Sequence, residues 1–274
     1  MNVPTANGDS MFSDAMSAVY ERHLVPLIFE PYASALAQRL ALTNASRVLE
    51  IACGTGVLTR ALASSLPASV AITATDLNEA MLDQAAYVGT SRPVEWRQAD
   101  AFQLPVEDGS FDAVVCQFGA MFFPDRPAAY REARRVLKPG GHFLFSVWDR
   151  IEENEFADVV TTAVATEFPD DPPAFLARTP HGYFDRPTIE RDLLAAGFAD
   201  GAYFATISER SRAASPDVPA IAYCQGTPIR NEIESRDAGK LEACTNAAEA
   251  TIASRFGRGA VDGLIQAHVI VAPR

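Results

Sequence analysis

The sequence contains little of what marks a fibrous, membrane-spanning or nucleic-acid-binding chain. Its 274 residues include only 16 glycines and 18 prolines, too few for a collagen or a low-complexity linker. Basic residues number 23 against 35 acidic ones, and the net charge of −12 disfavours a surface that neutralises phosphates. The longest stretch without a formal charge, residues 61–75, is broken by serines and Pro67. No membrane span and no nucleic-acid partner are therefore predicted.

Cysteine is also scarce, and its spacing excludes the usual zinc patterns. The four cysteines form no Cys-x-x-Cys pair and have no histidine cluster nearby, so we expect no metal site. Cys53 and Cys116 lie in apolar runs, which predicts buried thiols in a reduced, cytoplasmic setting. The first seventeen residues lack the basic start and apolar run of a signal peptide, so none is predicted.

What is present is the composition of a globular protein, with 48% hydrophobic residues. The length fits one large domain or two small ones. Short apolar runs alternate with helical stretches, which predicts βαβ units and a mostly parallel sheet covered on both faces. The predicted strands are residues 48–53, 70–75, 94–98, 111–118, 142–148, 202–208 and 264–271; the predicted helices include 77–87, 127–137, 151–168 and 188–196.

Two regions outside this alternation are also helical in pattern. Residues 14–42 have helical spacing that Pro26 and Pro31 interrupt, which predicts two short helices. Residues 216–257 are polar and partly helical, and we expect them to cover an edge or the mouth of the sheet. Lys138 to Gly141 is predicted to be a turn before the fifth strand.

The segment from Glu50 to Gly56 follows the first predicted strand and opens a helix. Glycines there let the backbone turn sharply and approach a ligand, and a helix N-terminus favours an anion. A dinucleotide-binding loop would need a third glycine at Thr59, and a Walker loop would need Gly-Lys-Ser/Thr where Gly56 is followed by Val57. Both nucleotide-binding interpretations are therefore disfavoured. The alternative that the segment is a turn that binds no ligand remains open.

Two acidic residues end the next two predicted strands. Asp76 lies 22 residues past Gly54, where a carboxylate can accept both hydrogen bonds from a ribose diol. The alternative is that Asp76 caps the following helix, with Glu79 at the capping-box position. Asp100 could read the amino group and ring nitrogen of adenine, or could simply form a turn.

With these pieces in view, residues 47–148 resemble the class I S-adenosylmethionine-dependent methyltransferases, in the subgroup of the ubiquinone/menaquinone C-methyltransferases. Several separated motifs carry the resemblance: Val48 to Gly56, Asp76-Leu77-Asn78 with Met81-Leu82, Asp100-Ala101, Leu104-Pro105 with Asp108 to Val114, and Arg135 to Gly141. Ala52 stands where many relatives have glycine. The chain reads Cys116-Gln117-Phe118-Gly119 and lacks the Asn-Pro-Pro-Tyr motif typical of methylation on nucleic acids.

The resemblance implies a Rossmann-like three-layer αβα sandwich whose seven-stranded, mostly parallel sheet has an antiparallel last strand, with helical cap segments. It implies one domain over 1–274, with an N-terminal helical lid (1–44), a cofactor-binding core (45–150) and acceptor-side insertions (151–187 and 211–262).

The resemblance also implies S-adenosyl-L-methionine as the cofactor and assigns roles around it. Glu50, Ala52, Gly54 and Gly56 would line the methionine part, Asp76 the ribose, Leu77 and Met81 the adenine face, Asp100 and Ala101 its edge, and Gln117 with Phe118 the sulfonium. The full set of expected cofactor residues is Tyr20, Glu50, Ala52, Cys53, Gly54, Thr55, Gly56, Asp76, Leu77, Met81, Asp100, Ala101, Phe102, Gln117 and Phe118.

Methylation of an oxygen or an acidic carbon needs a base, whereas an amine or a thiolate may need none. Of the four histidines, His181 is the first candidate, because it lies in the expected acceptor region, and His23 is the second. His142 and His268 are expected to be structural.

Two groups of mainly aromatic residues predict the chemical class of the acceptor. Phe118, Met121, Phe122 and Phe123 could form one apolar wall and Phe175, Tyr183 and Phe184 another, or they could be ordinary core. The expected activity is methyl transfer to a small, apolar or aromatic metabolite. Open alternatives are a cyclase or decarboxylase on the same fold, a nicotinamide oxidoreductase, and a non-enzymatic binding module.

Overall fold

A computed structural model describes residues 13–274; residues 1–12, which begin the expected lid, lie outside the described residues. One seven-stranded sheet has the order β3-β2-β1-β4-β5-β7-β6, and β7 is antiparallel to both of its neighbours. The pairs from β3 through β5 are parallel. The strands are β1 (Arg47–Ile51), β2 (Ala71–Asp76), β3 (Glu95–Gln98), β4 (Phe111–Gln117), β5 (Leu137–Trp148), β6 (Tyr203–Ala213) and β7 (Val261–Pro273).

Helices cover both faces of the sheet and one end of it. They are α1 (Asp14–Val19), α2 (Glu30–Ala41), α3 (Val57–Ser65), α4 (Glu79–Val88), α5 (Arg126–Val136), α6 (Glu155–Glu167), α7 (Phe175–Arg178), α8 (Arg186–Ala195), α9 (Asp217–Gly226), α10 (Ile229–Arg236) and α11 (Leu241–Phe256). Side-chain caps explain several starts. Asn78, Asp125 and Asp185 each accept a backbone N–H at the first turn of α4, α5 and α8.

Alternation along the central strands builds the two hydrophobic layers. Leu49, Val114 and Phe145 face one cluster, whereas their neighbours Val48, Val115 and Leu144 face the other. All six are fully buried. The predicted αβα sandwich is therefore confirmed, because strands that are apolar on both sides need a helical layer on each.

The prediction of two short helices over residues 14–42 is wrong. A π-helical segment, Tyr20–Phe29, joins α1 directly to α2, so the chain stays helical from 14 to 41. Pro26 lies inside the wider π turns, and Pro31 lies in the first turn of α2, where its missing N–H is not needed. Neither proline breaks the helix, and Pro26 lies in the widened π segment rather than at a helix end.

The predicted turn at 138–141 is also wrong as a boundary, because β5 already begins at Leu137. Leu137 pairs with Phe111, and the register then shifts before Ala113 pairs with His142. Gly140 takes a φ of +78° within this irregularity. The residues of the predicted turn therefore form an irregularity inside the strand, where β5 advances by five residues while β4 advances by two.

Two further expectations concern buried cysteines and a membrane-spanning helix. All four cysteines are buried free thiols. Within residues 13–274, no helix combines the length and apolar character needed to cross a membrane.

Candidate active site

A cavity of about 430 Å³ opens where the parallel strands β1, β2, β4 and β5 end. The π segment and the α9–α10 region contribute to its walls. Every expected cofactor residue except Gly56 lines it: Tyr20, Glu50, Ala52, Cys53, Gly54, Thr55, Asp76, Leu77, Met81, Asp100, Ala101, Phe102, Gln117 and Phe118. Residues that the sequence scatters over a hundred positions therefore meet in one cleft, as expected at the carboxyl ends of an α/β sheet.

The loop after β1 shows that its two glycines serve different purposes. Both have positive φ, +55° at Gly54 and +84° at Gly56. A Cβ on Gly54 would meet nothing within 4 Å, whereas one on Gly56 would lie 2.9 Å from the Trp96 ring. Gly54 thus borders open space at the cavity that it lines, while Gly56 lets α3 start close beneath Trp96.

Asp76 joins this loop to the next helix. Its Oδ2 accepts the Gly54 N–H at 2.8 Å, and its Oδ1 accepts the Asn78 N–H at 2.8 Å. Burial raises the pKa of the carboxyl, although these hydrogen bonds oppose the shift. The alternative that Asp76 caps α4 is wrong, because Asn78 is the cap and accepts the Ala80 N–H at 3.0 Å. An ionised carboxylate can accept about four hydrogen bonds, so Asp76 keeps acceptor capacity for a ligand beyond its bonds to the backbone N–H groups of Gly54, Leu77 and Asn78.

Glu50 is the most deeply buried carboxylate of the cavity. Thr59 Oγ1 donates to its Oε2 at 2.6 Å, and burial raises the pKa of Glu50 to about 8. Thr59 occupies the position of the third glycine in a dinucleotide loop. The residue that disfavours a dinucleotide therefore holds the acidic side chain in place.

The adenine-side residues differ in exposure. Asp100 is exposed, and its Oδ1 accepts the Phe102 N–H at 2.9 Å. Leu77 is 57% exposed, whereas Met81 is buried. An exposed apolar side chain at a cavity mouth is a surface that a flat ligand can cover.

Two buried polar atoms in the cavity wall lack a hydrogen-bond partner among residues 13–274. They are Gln117 Oε1 and Thr55 Oγ1. The Gln117 amide is otherwise fixed, since its Nε2 donates to the Phe29 carbonyl at 3.0 Å. Buried polar groups are rarely left unpaired, so both atoms fit a ligand with hydrogen-bonding groups.

The ends of β4 and β5 form an aromatic surface. Phe118, held at a φ of +54°, stacks on Trp148 with ring centroids 3.8 Å apart and planes 6° apart. Phe29 packs against both rings, and Tyr20 stacks on Phe29. The aromatic half of the cavity is lined by Tyr20, Phe29, Phe118, Phe122, Phe123, Trp148, Phe175 and Tyr223.

The observed lining agrees with one part of the predicted acceptor wall and contradicts the other. Met121, Phe122, Phe123 and Phe175 line the cavity as expected, but Tyr183 and Phe184 do not. The Tyr183 hydroxyl instead donates to Asp192 at 2.9 Å, away from the cleft. Sequence reasoning missed Phe29, Trp148 and Tyr223; for Trp148, its place at the end of a central strand was a usable signal.

His181 lines the aromatic half and is 5% exposed. Its Nδ1 lies 2.8 Å from the backbone carbonyl oxygen of Asp149. A carbonyl only accepts, so Nδ1 carries the proton and Nε2 the lone pair. Burial lowers the pKa of His181 to about 4, so the ring is neutral at pH 7.

The other histidines lie outside the cavity lining. His23 is on the π segment but does not line the cleft, unlike its neighbour Leu24; burial lowers its pKa. His142 pairs with Pro273 near the opposite end of β5, and His268 faces Thr206 on the outer strands. The geometry thus brings only one of the two candidate bases to the site.

The formal charges of the lining are of one sign, although burial raises the pKa of Glu50 to about 8 and so keeps this side chain mainly protonated at pH 7. Glu50, Asp76 and Asp100 line the half of the cavity below β1, β2 and β3, which we call the carboxylate half. No lysine or arginine of the described residues lines the cavity, and His181 is neutral. The cavity therefore favours a ligand that is positively charged at one end and uncharged at the other.

Comparisons with known proteins agree with this geometry. A family described as a methyltransferase domain matches residues 49–145. The demethylmenaquinone methyltransferase of Mycolicibacterium gilvum (strain PYR-GCK) is 34% identical over 172 residues, which are 60% of this chain and 72% of that protein.

Two solved structures share the fold. A SAM-dependent methyltransferase from Thermotoga maritima superposes with a TM-score of 0.54 at 18% identity, covering 95% of this chain and 97% of that one. The [4+2]-cyclase SpnF superposes with a TM-score of 0.53 at 19% identity, covering 89% of this chain and 81% of that one.

Proposed function

This chain belongs to the class I S-adenosylmethionine-dependent methyltransferases, and we propose that its acceptor is a small, uncharged, apolar or aromatic metabolite. The observation that carries the proposal is the aromatic half of the cavity, which has no cationic side chain among the described residues. A carboxylate or phosphate buried there would have no counter-ion, which is costly. A neutral ring can instead stack on the Phe118–Trp148 surface.

The cofactor is S-adenosylmethionine, which supplies a methyl group activated on a positively charged sulfur. The carboxylate half fits this cofactor, because Glu50, Asp76 and Asp100 can accept hydrogen bonds from it. The buried atoms Gln117 Oε1 and Thr55 Oγ1, which have no partner among residues 13–274, can bond to it as well. We propose that Asp76 binds the ribose hydroxyls, Glu50 the methionine part and Asp100 with Ala101 the adenine edge. Leu77 and Met81 would pack on the adenine face.

His181 is proposed as the base. Its Nε2 carries a lone pair on a ring that lines the aromatic half, so it can take a proton from an acceptor hydroxyl or acidic carbon. The aromatic walls exclude water and hold the acceptor in line, which is the main requirement of a displacement at an activated methyl group.

The proposed division of the chain follows from which segments line which half. The core between 45 and 150 supplies all three carboxylates. The N-terminal helical segment contributes Tyr20 and Phe29, and the insertions contribute His181 and Tyr223. This arrangement supports an acceptor site built jointly by the core, through Phe118 and Trp148, and by segments outside it.

The acceptor class can be tested directly with methyl-labelled S-adenosylmethionine. The name of the Mycolicibacterium relative makes a reduced quinone-type ring the first acceptor to try, beside simpler neutral phenols and their carboxylated analogues. We expect label in a neutral product, with one S-adenosylhomocysteine formed per methyl transferred, and at least tenfold lower turnover of the carboxylated analogue. Preference for the anionic analogue would contradict the proposal. Conversion of a substrate without consumption of the donor would favour the cyclase or decarboxylase alternative.

The cofactor half can be tested by Asp76→Ala. Two lost hydrogen bonds to a charged acceptor, at about 1.5 kcal/mol each, correspond to a loss of roughly 100-fold in affinity. Isothermal calorimetry with S-adenosylhomocysteine measures it, and circular dichroism checks the fold. Asp83→Ala, an exposed residue of α4 outside the cavity, is the matched control. Equal affinities for the two variants would remove the ribose role from Asp76.

A further inference from the structure

The ring of His181 is oriented by one backbone carbonyl. Nδ1 lies 2.8 Å from the Asp149 carbonyl oxygen, and the His181 N–H donates to the Leu176 carbonyl at 3.1 Å. The proton on Nδ1, and hence the lone pair on Nε2, depends on where the Asp149 carbonyl points. Residues that fix this peptide therefore control whether His181 can accept a proton at Nε2.

The Asp149 backbone is held by the neighbouring strand β7. Asp149 follows the last residue of β5, and its N–H donates to the Gln266 carbonyl at 3.0 Å. Asn154 clamps the same site: its Nδ2 donates to the Asp149 carbonyl at 3.3 Å, and its Oδ1 accepts the Gln266 N–H at 3.1 Å. The carbonyl that meets His181 is thus held from the β7 side.

The Asp149 carboxylate is held by two side chains of β7 and by one backbone N–H. Oδ2 accepts from Gln266 Nε2 at 2.6 Å, and Oδ1 accepts the Arg150 N–H at 2.7 Å. His268 Nε2 lies 3.3 Å from Oδ1. Because Asp149 is only 8% exposed, this carboxylate needs such partners to stay buried.

A second row of contacts fixes these partners in turn. Ser208 Oγ donates to Gln266 Oε1 at 2.6 Å, and Thr206 Oγ1 lies 3.0 Å from His268 Nδ1. Both hydroxyls belong to the edge strand β6. The arrangement runs from the sheet edge through β7 to the end of β5 and then to the cavity.

We propose that Asp149, Gln266 and His268 are positioning residues that hold His181 in its Nδ1-protonated form, with Nε2 free to accept the acceptor's proton. The inference rests on the proposed role of His181 as the base. The three residues act through the Asp149–Arg150 peptide and do not themselves take part in methyl transfer. The antiparallel pair β6–β7 would therefore do more than complete the sheet, since it sets the proton position at the active centre.

Long-range ¹H–¹⁵N correlation spectra of the histidine rings test this without any acceptor. The full chain has four histidines, so His23→Gln, His142→Gln and His181→Gln assign the signals. At pH 7.5 we expect His181 to show a protonated Nδ1 and an unprotonated Nε2. In Gln266→Leu and Asp149→Ala we expect its two nitrogen shifts to move towards each other, as the Nε2-protonated form becomes populated.

The controls separate positioning from general destabilisation. His142→Gln, near the opposite end of β5, should leave the His181 shifts unchanged. The milder Asp149→Asn keeps an oxygen for one of the two N–H donors and should move the shifts less than Asp149→Ala. A wild-type His181 protonated on Nε2 would overturn the proposal, as would unchanged His181 shifts in both Asp149→Asn and a folded Gln266→Leu.

The turnover measurement tests the acceptor and the reaction, whereas the tautomer of His181 tests the positioning network alone. Gln266→Leu should lower kcat for a working acceptor by more than tenfold and leave the affinity for S-adenosylhomocysteine unchanged. If no acceptor is turned over but the His181 shifts respond as expected, the positioning network stands and the acceptor proposal fails. If acceptors are turned over at wild-type kcat by Gln266→Leu, the network has no role in the reaction.

Discussion

The two halves of the cavity are built in opposite ways. The carboxylate half comes from the ends of consecutive strands, β1 to β3. Its acidic side chains lie near these ends, with Glu50 inside β1, Asp76 the last residue of β2 and Asp100 two residues after β3. The aromatic half combines the ends of β4 and β5 with the π segment, the α7 region and α9, which are far apart in the chain. One half depends on local sequence, and the other on packing between distant segments.

This difference indicates which property of the protein a substitution in each half should change. Backbone hydrogen bonds hold the carboxylates, as Asp76 shows with Gly54 and Asn78. Contacts between rings hold the aromatic half, as the stacked Phe118–Trp148 pair shows. We therefore expect substitutions in the first half to act mainly on cofactor affinity and those in the second on stability and acceptor use.

Trp148→Ala should have the largest effect on stability. The ring is 4% exposed and contacts Phe29, Tyr32 and Phe118, so truncation should lower the free energy of unfolding by about 3–5 kcal/mol. Urea unfolding measures this loss. Trp148→Phe keeps a ring for stacking and should lose clearly less. A variant that stays stable but loses cofactor affinity would break the distinction between the halves.

The two halves should also respond oppositely to pH. Burial raises the pKa of Glu50 from its usual 4.5 to about 8, so its contribution is lost as pH rises through that range. Burial lowers the pKa of His181 from 6.5 to about 4, so its contribution is lost as pH falls from 6.5 towards 4. At about 1.4 kcal/mol per pKa unit, the effect reaches roughly 5 kcal/mol for Glu50 and roughly 3.5 kcal/mol for His181 over the respective windows.

Unfolding curves of matched variants between pH 4 and pH 9 separate these effects. Relative to the wild type, Glu50→Gln should gain stability towards pH 8, and His181→Gln should gain it towards pH 4. The difference from wild type, rather than the raw curve, is the readout, because other groups titrate as well. Parallel curves for the wild type and Glu50→Gln would show that folding does not change the pKa of Glu50.

The smallest effects should distinguish the two glycines of the carboxylate half. Gly56→Ala places a methyl group 2.9 Å from Trp96 in a left-handed backbone and should cost about 1–3 kcal/mol of stability. Gly54→Ala meets no atom and should cost about 1 kcal/mol, but it should weaken S-adenosylhomocysteine binding because the methyl group enters the cavity. Thermal unfolding and calorimetry on both variants test the contrast. Equal affinity losses would show that the loop acts as one unit.

Much of the carboxylate half was readable from the sequence. The strand–glycine–helix pattern at 48–66 and acidic residues at strand ends predicted a shared cleft, because parallel strands end at one edge of a sheet. The sequence favoured His181 over His23 as the base, because His181 lies in the expected acceptor region, but it could not show which of the two side chains reaches the cleft. Only the fold shows that His181 lines the cleft while His23 does not.

The N-terminal segment shows why the rest could not be read. Local rules for Pro26 and Pro31 predicted a break, yet the chain continues through a π segment that brings Tyr20 and Phe29 to the cavity. Tyr183 and Phe184 follow His181 by two and three residues, but neither reaches the aromatic half. Which ring faces a cavity depends on the path of the backbone, and periodicity alone does not give that path.

The sequence by itself determined the class of fold, the glycine loop and the two acidic strand ends, because strand runs, glycines and carboxylates act through local backbone geometry. Tertiary structure alone decided the aromatic half, the neutral His181 and its link to β7. Those depend on burial and on contacts between segments more than a hundred residues apart, such as Asp149 and Gln266, and no local pattern encodes which segments meet.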